Sequence, residues 1–210
     1  MKSFKKVLVL APHTDDGELG CGASIHKFSS EGSEVFYVAF SICTQSLPPS
    51  MHPMTLAEEV KKATQILGIK PHNLILHDFD VRNFPMHRQA ILEEMVKLEK
   101  EIKPDLVLMP SATDIHQDHQ TIYNEGLRAF KKTSIFGYEL PWNNLSFTTN
   151  TFIKVEEQDI AQKVAALNEY HSQKSRTYLN ENFIRSLALT RGVQIGSGYA
   201  EAFELIRLIV

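Results

Sequence analysis

The most restrictive feature of the sequence is a repeated alternation of short apolar runs with longer segments of helical period. Runs rich in Val, Ile and Leu are typical of buried strands, and amphipathic segments between them are typical of helices packed on a sheet. The alternation predicts an α/β fold, a Rossmann-like three-layer sandwich with a mostly parallel sheet. The predicted strands cover residues 7–10, 34–40, 74–76, 106–109 and 135–138, and the predicted helices cover residues 22–30, 56–67, 88–102 and 121–131.

After residue 138 the pattern weakens. Residues 147–155 look extended, residues 158–170 helical, and residues 201–210 form a predicted last strand after a loop containing Gly192, Gly196 and Gly198. No repeat, low-complexity tract or linker marks a boundary, and 210 residues fall within the usual size of one domain. We therefore predict a single domain over residues 1–210.

Composition excludes several classes of protein. A net charge of -3 with acidic and basic residues interspersed offers no basic surface for nucleic acid, so none is expected as a partner. The first apolar run is too short for a signal peptide or a transmembrane segment. Two cysteines, Cys21 and Cys43, are too few for a disulfide framework. We expect a reduced, cytoplasmic protein.

A first cluster of ionisable residues, His13, Asp15, Asp16 and Glu18, directly follows the first predicted strand. Ligands of open α/β sheets bind at this carboxyl edge, and imidazole and carboxylate are zinc ligands. Two other interpretations are open. The glycines loosely resemble a dinucleotide-binding loop, although three carboxylates would repel a pyrophosphate. In a purely structural interpretation, one of the two aspartates caps the next helix.

A second cluster follows the strand predicted at 106–109 and contains Asp114, His116, Asp118 and His119. On the first turn of a helix, two histidines three positions apart project to the same side. If the strand order is about 3-2-1-4-5, the first and fourth strands are neighbours at the switch point, and both loops open into one crevice. This order would bring at least one of these histidines near the first cluster.

The phrase APHTDDGELGCGASI, followed about a hundred residues later by PSATDIHQDH, resembles the PIG-L/LmbE family of zinc-dependent N-acetylglucosamine de-N-acetylases. Tyr170-His-Ser-Gln173 with Arg176, and the ending Gly198 to Phe203, are also similar to members of that family. The resemblance covers most of the chain. It is specific for the family and weakly specific for the substrate.

The resemblance implies roles for the residues that match the family motifs. His13, Asp16 and His119 match the metal ligands, and Asp15 matches the general base. Two imidazoles and one carboxylate leave a position on the metal for water or a substrate carbonyl, as catalytic zinc sites require. Asp15 would then remove a proton as the attack on the amide proceeds.

The resemblance also implies roles for two residues of the second cluster. His116 matches the histidine that carries a proton or stabilises the oxyanion, and Asp118 matches the aspartate that orients this histidine. A neighbouring carboxylate favours a protonated imidazole. A protonated His116 would steady the oxyanion or protonate the departing amine.

The chain departs from the family pattern at several positions. Thr14 and Gly17 stand where many members have proline and glutamate, and the arginine common near residues 55–57 is absent. Arg82 is our candidate for gripping substrate, the alternative being an ordinary surface arginine. Asp114 is a candidate for substrate contact or for orienting a ligand. Glu18 would cap the following helix or hold a substrate hydroxyl.

These expectations define a zinc-dependent hydrolase that removes an N-acetyl group from a small amino-sugar substrate. Iron(II) or another divalent ion would also suit nitrogen and oxygen ligands. The alternatives are a metal-dependent amidase for a non-sugar amide and a Rossmann-type nucleotide-binding module. Trp142 and Phe147 would either stack on a sugar ring or pin loops to the core. Self-association into a homo-oligomer is compatible with the sequence.

Overall fold

The computed structural model describes residues 4–210. They form one seven-stranded sheet flanked by helices on both faces. The strands are β1 (Lys6–Ala11), β2 (Glu34–Ala39), β3 (Leu74–Leu76), β4 (Leu106–Pro110), β5 (Ser134–Tyr138), β6 (Thr151–Val155) and β7 (Tyr199–Arg207). The helices are α1 (Asp16–Ser30), α2 (Thr55–Ile66), α3 (Phe84–Ile102), α4 (Gln117–Ala129), α5 (Glu157–Asn168) and α6 (Glu181–Val193).

The strand order is β3-β2-β1-β4-β5-β7-β6. The pairs among β1 to β5 are all parallel, whereas β7 pairs antiparallel with both β5 and β6. The predicted α/β fold and the predicted order 3-2-1-4-5 are confirmed, and two antiparallel strands extend the sheet at one edge. Because β1 and β4 are parallel neighbours, the loops that follow them leave the sheet at the same edge.

The core has two halves, one on each face of the sheet. Successive side chains of a strand point to opposite faces, and in β1 the residues Val7 and Val9 join one buried cluster while Leu8 and Leu10 join the other. Helices α1, α2, α5 and α6 cover the first face, and α3 and α4 cover the second. Burial on both faces explains why the strands read as continuous apolar runs.

Three helices begin several residues earlier than the sequence predicts. Helix α1 begins at Asp16 rather than at residue 22, α3 at Phe84 rather than at residue 88, and α4 at Gln117 rather than at residue 121. In α1 and α4 the first turn carries polar site residues instead of the apolar periodicity from which helices are predicted. Helix α6 was not predicted, although Asn180 is an N-cap residue whose side chain accepts hydrogen bonds from the backbone of Asn182 and Phe183.

No helix within residues 4–210 combines the length and the apolar character that a membrane crossing requires.

Helix α1 is broken at Cys21, whose φ of -147° and ψ of 26° are not helical. A break leaves backbone groups without helical partners. Glu201 on β7 accepts hydrogen bonds from Ala23 N (3.2 Å) and Ser24 N (2.7 Å). Lys163 on α5 donates to the Leu19 carbonyl (2.7 Å) and to Glu201 (2.7 Å). One buried ion pair thus satisfies both sides of the break and joins three elements.

We expect the substitution Lys163→Met to lower the free energy of unfolding by about 3 kcal/mol, because it leaves the buried Glu201 carboxylate without its counterion. The measurement is urea denaturation of the purified protein. Lys154→Met, at an exposed position of β6, is the matched control. Equal stability of the two variants would contradict the role of this ion pair.

Candidate active site

The two polar clusters meet in one cavity at the carboxyl edge of the sheet. The cavity has a volume of about 490 Å³, and His13, Asp15, Asp16, His116 and His119 all line it. The first three residues follow β1, and the two others follow β4. The convergence expected from the strand order is therefore present in the structure.

Three atoms of these residues form a nearly equilateral triangle. His13 Nδ1 lies 3.0 Å from Asp16 Oδ2, His119 Nε2 lies 3.2 Å from the same oxygen, and the two nitrogens are 3.3 Å apart. Ligand atoms about 2.0 to 2.2 Å from a tetrahedral zinc ion are separated by roughly 3.3 to 3.6 Å. Two imidazoles and one carboxylate in this geometry fit a divalent metal ion after only a small expansion.

Each histidine of the triangle is held from its other side by a buried carboxylate. Asp118 Oδ2 lies 3.0 Å from His13 Nε2, and Asp114 Oδ2 lies 2.7 Å from His119 Nδ1. Such contacts fix the tautomer and orientation of a ligating imidazole and increase its basicity. Both histidines of the triangle therefore have the carboxylate partner that is expected behind a ligating imidazole.

A larger set of nitrogens also lies close together. His13, His116 and His119 can each offer a ring nitrogen within 4.8 Å of the others. The atoms of the triangle that includes Asp16 Oδ2 lie closer together, at 3.0–3.3 Å from one another. The tighter set of His13, Asp16 and His119 is the better match to one small ion.

The electrostatics of the triangle favour positive charge. Burial by itself would lower the pKa of both histidines, but the charge of Asp16 and hydrogen bonds with carboxylates raise it to about 9 at His13 and about 10 at His119. Although burial opposes ionisation of Asp16, His119 and His13 hold the pKa of this carboxyl well below its usual value. A site that stabilises cations so strongly suits a metal ion.

Asp15 differs from its neighbour Asp16. It is the N-cap residue of α1, yet its side chain makes no capping hydrogen bond. It borders the cavity, and burial together with the charge of Asp16 raises the pKa of Asp15 to about 6. A carboxylate with a pKa close to neutrality and without a structural partner is suited to accept a proton.

His116 is the N-cap residue of α4, and its Nδ1 accepts a hydrogen bond from Asp118 N (3.2 Å). A nitrogen that accepts this bond carries no proton, so a neutral ring has its proton on Nε2. Burial, followed by the charges of His119 and His13, lowers the pKa of His116. Both observations favour a neutral His116 ring over the protonated ring that was expected.

The contacts of Asp118 and Asp114 bear on the roles expected of them. The Asp118 carboxylate binds His13 and the backbone N–H groups of Arg82 (2.6 Å) and Phe84 (3.3 Å), and makes no hydrogen bond with the His116 ring. It orients a different histidine from the one expected. Asp114 is 2% exposed and does not border the cavity. Its contact with His119 supports orientation of a ligand rather than substrate contact.

Arg82 borders the cavity and has a left-handed backbone with φ of 67°. Its N–H donates to Asp118, and its carbonyl accepts a hydrogen bond from the side chain of Gln117. Its backbone therefore fixes the residue that orients His13. Its exposed side chain stays a candidate for substrate contact.

Glu18 neither caps α1 nor reaches a substrate position, which corrects both expectations. It is fully buried, and its carboxyl contacts the hydroxyl groups of Tyr37 and Tyr170. Both hydroxyls also lie 2.8–2.9 Å from the Thr14 carbonyl. Two phenol protons cannot fill four contacts, and a protonated Glu18 supplies a third proton to the network. Burial raises the pKa of Glu18 to about 8 despite the two tyrosine hydrogen bonds.

Two aromatic residues form one wall of the cavity. Trp142 and Tyr178 stack with ring centroids 4.2 Å apart and an interplanar angle of 14°. The sequence indicated Trp142 as a candidate for contact with a sugar ring, whereas Tyr178 was missed because it lies just beyond the residues that resemble the family. Cys43 also borders the cavity, and burial raises the pKa of its thiol to about 12, so it is not a nucleophile.

The fold and the site define a class of α/β enzymes with a candidate metal site at the carboxyl edge of a parallel sheet. Residues 8–130 match the family model described as PIG-L, GlcNAc-PI de-N-acetylase. The chain therefore belongs to the PIG-L family, and it is an enzyme of the N-deacetylase type.

Two relatives support this assignment. The chain is 33% identical over 176 residues to the uncharacterized deacetylase YaiS of Escherichia coli K12. This alignment covers 80% of this chain and 91% of YaiS. It is 28% identical over 225 aligned positions to the diacetylchitobiose deacetylase of Thermococcus kodakarensis, covering 96% and 83% of the two chains.

Solved structures share the fold at lower identity. An N,N'-diacetylchitobiose deacetylase from Pyrococcus horikoshii superposes with a TM-score of 0.81 at 22% identity, covering 97% of this chain and 84% of the other. GalB from Pseudomonas putida KT2440, a 4-carboxy-2-hydroxymuconate hydratase, gives 0.79 at 21% identity and 98% coverage of both chains. The fold alone therefore does not define the reaction, and the site residues must.

We expect Glu18→Gln to change the pH dependence of stability in chelator-treated protein. The native pKa of about 8 exceeds the usual 4.5, so native protein keeps a proton that the unfolded chain releases between these pH values. Wild type therefore loses stability as pH rises through this window, whereas the variant does not.

The variant should gain about 2 to 4 kcal/mol relative to wild type between pH 5 and 8, measured by urea denaturation. Glu31→Gln, at an exposed position, is the control. Parallel pH curves for wild type and Glu18→Gln would contradict a protonated Glu18.

We expect protein purified without added metal to contain about one equivalent of a divalent metal ion per chain, by elemental analysis. His13→Ala and His119→Ala should each lose it, because the triangle needs both nitrogens. His72→Ala, at an exposed position, should keep it. Retention of the metal in both triangle variants would rule out this site.

Proposed function

We propose that the chain is a divalent-metal-dependent deacetylase, with zinc the first candidate ion, that hydrolyses the N-acetyl group of an amino sugar. The observation that carries this proposal is the triangle of His13 Nδ1, Asp16 Oδ2 and His119 Nε2 beside the uncapped carboxylate of Asp15. Membership of the PIG-L family supports the same reaction.

His13, Asp16 and His119 would hold the metal ion, which supplies Lewis-acid activation of water and of the amide carbonyl when bound. Asp118 and Asp114 would keep the two imidazoles in their ligating orientation. Nitrogen and oxygen ligands also suit iron(II), so the native ion is a separate question from the reaction.

Asp15 acts as the general base in the proposed reaction. As the oxygen of a water molecule bonds to the acetyl carbon, its proton passes to the Asp15 carboxylate. The carbon–nitrogen bond then breaks while Asp15 returns this proton to the departing nitrogen. The products are the free amine and acetic acid, which releases its remaining proton to solvent as acetate, and Asp15 is regenerated as a carboxylate.

His116 acts as a hydrogen-bond donor to the developing oxyanion. Its Nδ1 accepts the Asp118 N–H, so its Nε2–H is free to donate. A fixed donor of this kind stabilises charge in the transition state without needing to be protonated. This division of work leaves proton transfer to Asp15.

The cavity suits a small polar substrate. Its volume of about 490 Å³ falls within the usual 300 to 1,000 Å³ of small-molecule sites. The Trp142–Tyr178 pair offers a flat surface for a sugar ring, and Arg82 is the proposed donor to substrate oxygen atoms. The diacetylchitobiose deacetylase relative supports an N-acetylated sugar as the substrate class.

Acetate release from a substrate panel tests the function. The panel contains N-acetylglucosamine, diacetylchitobiose and a non-sugar N-acetyl amino acid, each with metal-loaded and chelator-treated protein. Release from the sugars that is abolished by chelator supports the proposal. Release from the N-acetyl amino acid alone would favour the non-sugar amidase, and tight nucleotide binding by metal-free protein without any hydrolysis would favour a binding module.

We expect Asp15→Asn to lower kcat by about 10² to 10⁴, because the amide cannot accept the proton, while the bound metal is retained. Activity and metal content are measured on the same preparation. Asp78→Asn, at an exposed position that does not border the cavity, should keep its activity. Full activity in Asp15→Asn would refute its role as the base.

A further inference from the structure

The arginines of the chain differ in how their side chains are paired. Four of the seven bind carboxylates: Arg88 and Arg128 bind Glu125, Arg185 binds Glu157 and Glu181, and Arg191 binds Glu139. Within residues 4–210, Arg82, Arg176 and Arg207 have no carboxylate partner. Arg207 binds the Phe130 carbonyl, whereas Arg82 and Arg176 border the cavity. The charges of these two are therefore available to a ligand.

The two free arginines are not equivalent. The backbone of Arg82 already makes hydrogen bonds with Asp118 and Gln117. These bonds account for the left-handed backbone conformation at Arg82. Arg176 makes a single long side-chain hydrogen bond, 3.4 Å from its Nε to Gln173 Oε1. Among the described residues, its backbone bonds only within its own turn, to the Gln173 carbonyl (2.8 Å) and from the Leu179 N–H (3.2 Å), and holds no residue of the metal triangle.

Tyr178 lies two residues beyond Arg176 and has an unpaired hydroxyl group. The hydroxyls of Tyr37, Tyr138 and Tyr170 all contact backbone carbonyls, but that of Tyr178 has no hydrogen-bond partner in the described part of the chain. Burial and the charge of Asp15 raise the pKa of Tyr178 to about 12, while Arg176 acts in the opposite direction. The phenol is therefore protonated at neutral pH and lies within electrostatic range of Arg176.

The carboxylates of the site lie close to the metal triangle. Asp114 and Asp118 contact the rings of His119 and His13, and Asp16 lies within the triangle. Arg176 also borders the cavity, but its guanidinium is paired with none of these carboxylates. An anionic group on the substrate would give it a partner that a neutral sugar lacks.

We propose that Arg176 and Tyr178 form a subsite for an oxyanion, a carboxylate, sulfate or phosphate group, carried by the N-acetylated sugar that the cavity binds. The inference rests on the proposed function, because it concerns the substrate of the same site. A guanidinium binds such an anion through two parallel hydrogen bonds. The Tyr178 hydroxyl adds a third donor, and the Trp142–Tyr178 stack holds the sugar ring beside it.

The test measures binding rather than turnover. Metal-loaded Asp15→Asn protein is titrated by calorimetry with N-acetylglucosamine, its 6-phosphate, its 6-sulfate and the corresponding N-acetylated uronic acid. We expect at least one anionic ligand to bind about 10-fold more tightly than the neutral sugar, by an amount that shrinks at high salt. Comparison of the three anions identifies the oxyanion.

Variants in the same background locate the preference. Arg176→Gln should bring the affinity ratio close to one, and Tyr178→Phe, which keeps the stacked ring, should reduce it about threefold. Arg82→Gln should weaken anionic and neutral ligands alike and leave their ratio intact. Circular dichroism and metal content establish that each variant is folded and loaded.

Two results would overturn the subsite. One is neutral sugar binding at least as tightly as every anionic ligand, and the other is a preference that survives Arg176→Gln or disappears in Arg82→Gln. Failure of the proposed function looks different. In that case wild type releases no acetate from any N-acetylated sugar, whatever the binding preference of the Asp15→Asn protein.

Discussion

The site depends on the parallel pairing of β1 with β4. Val9 lies opposite Leu108 in this pair, so the two loops that follow leave the sheet together. The second loop then supports the first directly, because Asp118 on α4 holds the ring of His13. The triangle of His13, Asp16 and His119 joins distant segments of the chain. Strand register fixes it, together with the Asp118 carboxylate that reaches from the second loop to the first.

The charge distribution separates the site from the rest of the fold. Carboxylates gathered in a buried pocket repel one another unless cations compensate them, and here they surround His13 and His119. Elsewhere, buried charge is matched within the protein, as in Lys163 and Glu201 at the break of α1. Strong charge coupling of this kind, concentrated in one pocket, is typical of functional sites.

Much of the fold was predictable because its pattern is local. Five parallel strands and their order follow from apolar runs and from the preference for adjacent β-α-β units. The first turns of α1 and α4 were not predicted, because Asp16 and His119 occupy positions where a helix normally shows apolar periodicity. The polar residues of these two turns nevertheless indicate the site by their chemistry. The residues that obscure the beginnings of the helices are therefore the same ones that indicate the function.

The sequence by itself determined the alternation that builds the sheet and the donor types that suit a metal, since both depend on residue type and spacing along the chain. Only the tertiary structure decided that the Asp118 carboxylate binds the ring of His13 rather than that of His116, that Glu18 is buried between two tyrosines, and that Tyr178 joins Trp142 in the cavity wall. These contacts join segments far apart in the chain. They depend on strand register and helix packing, which no local pattern encodes.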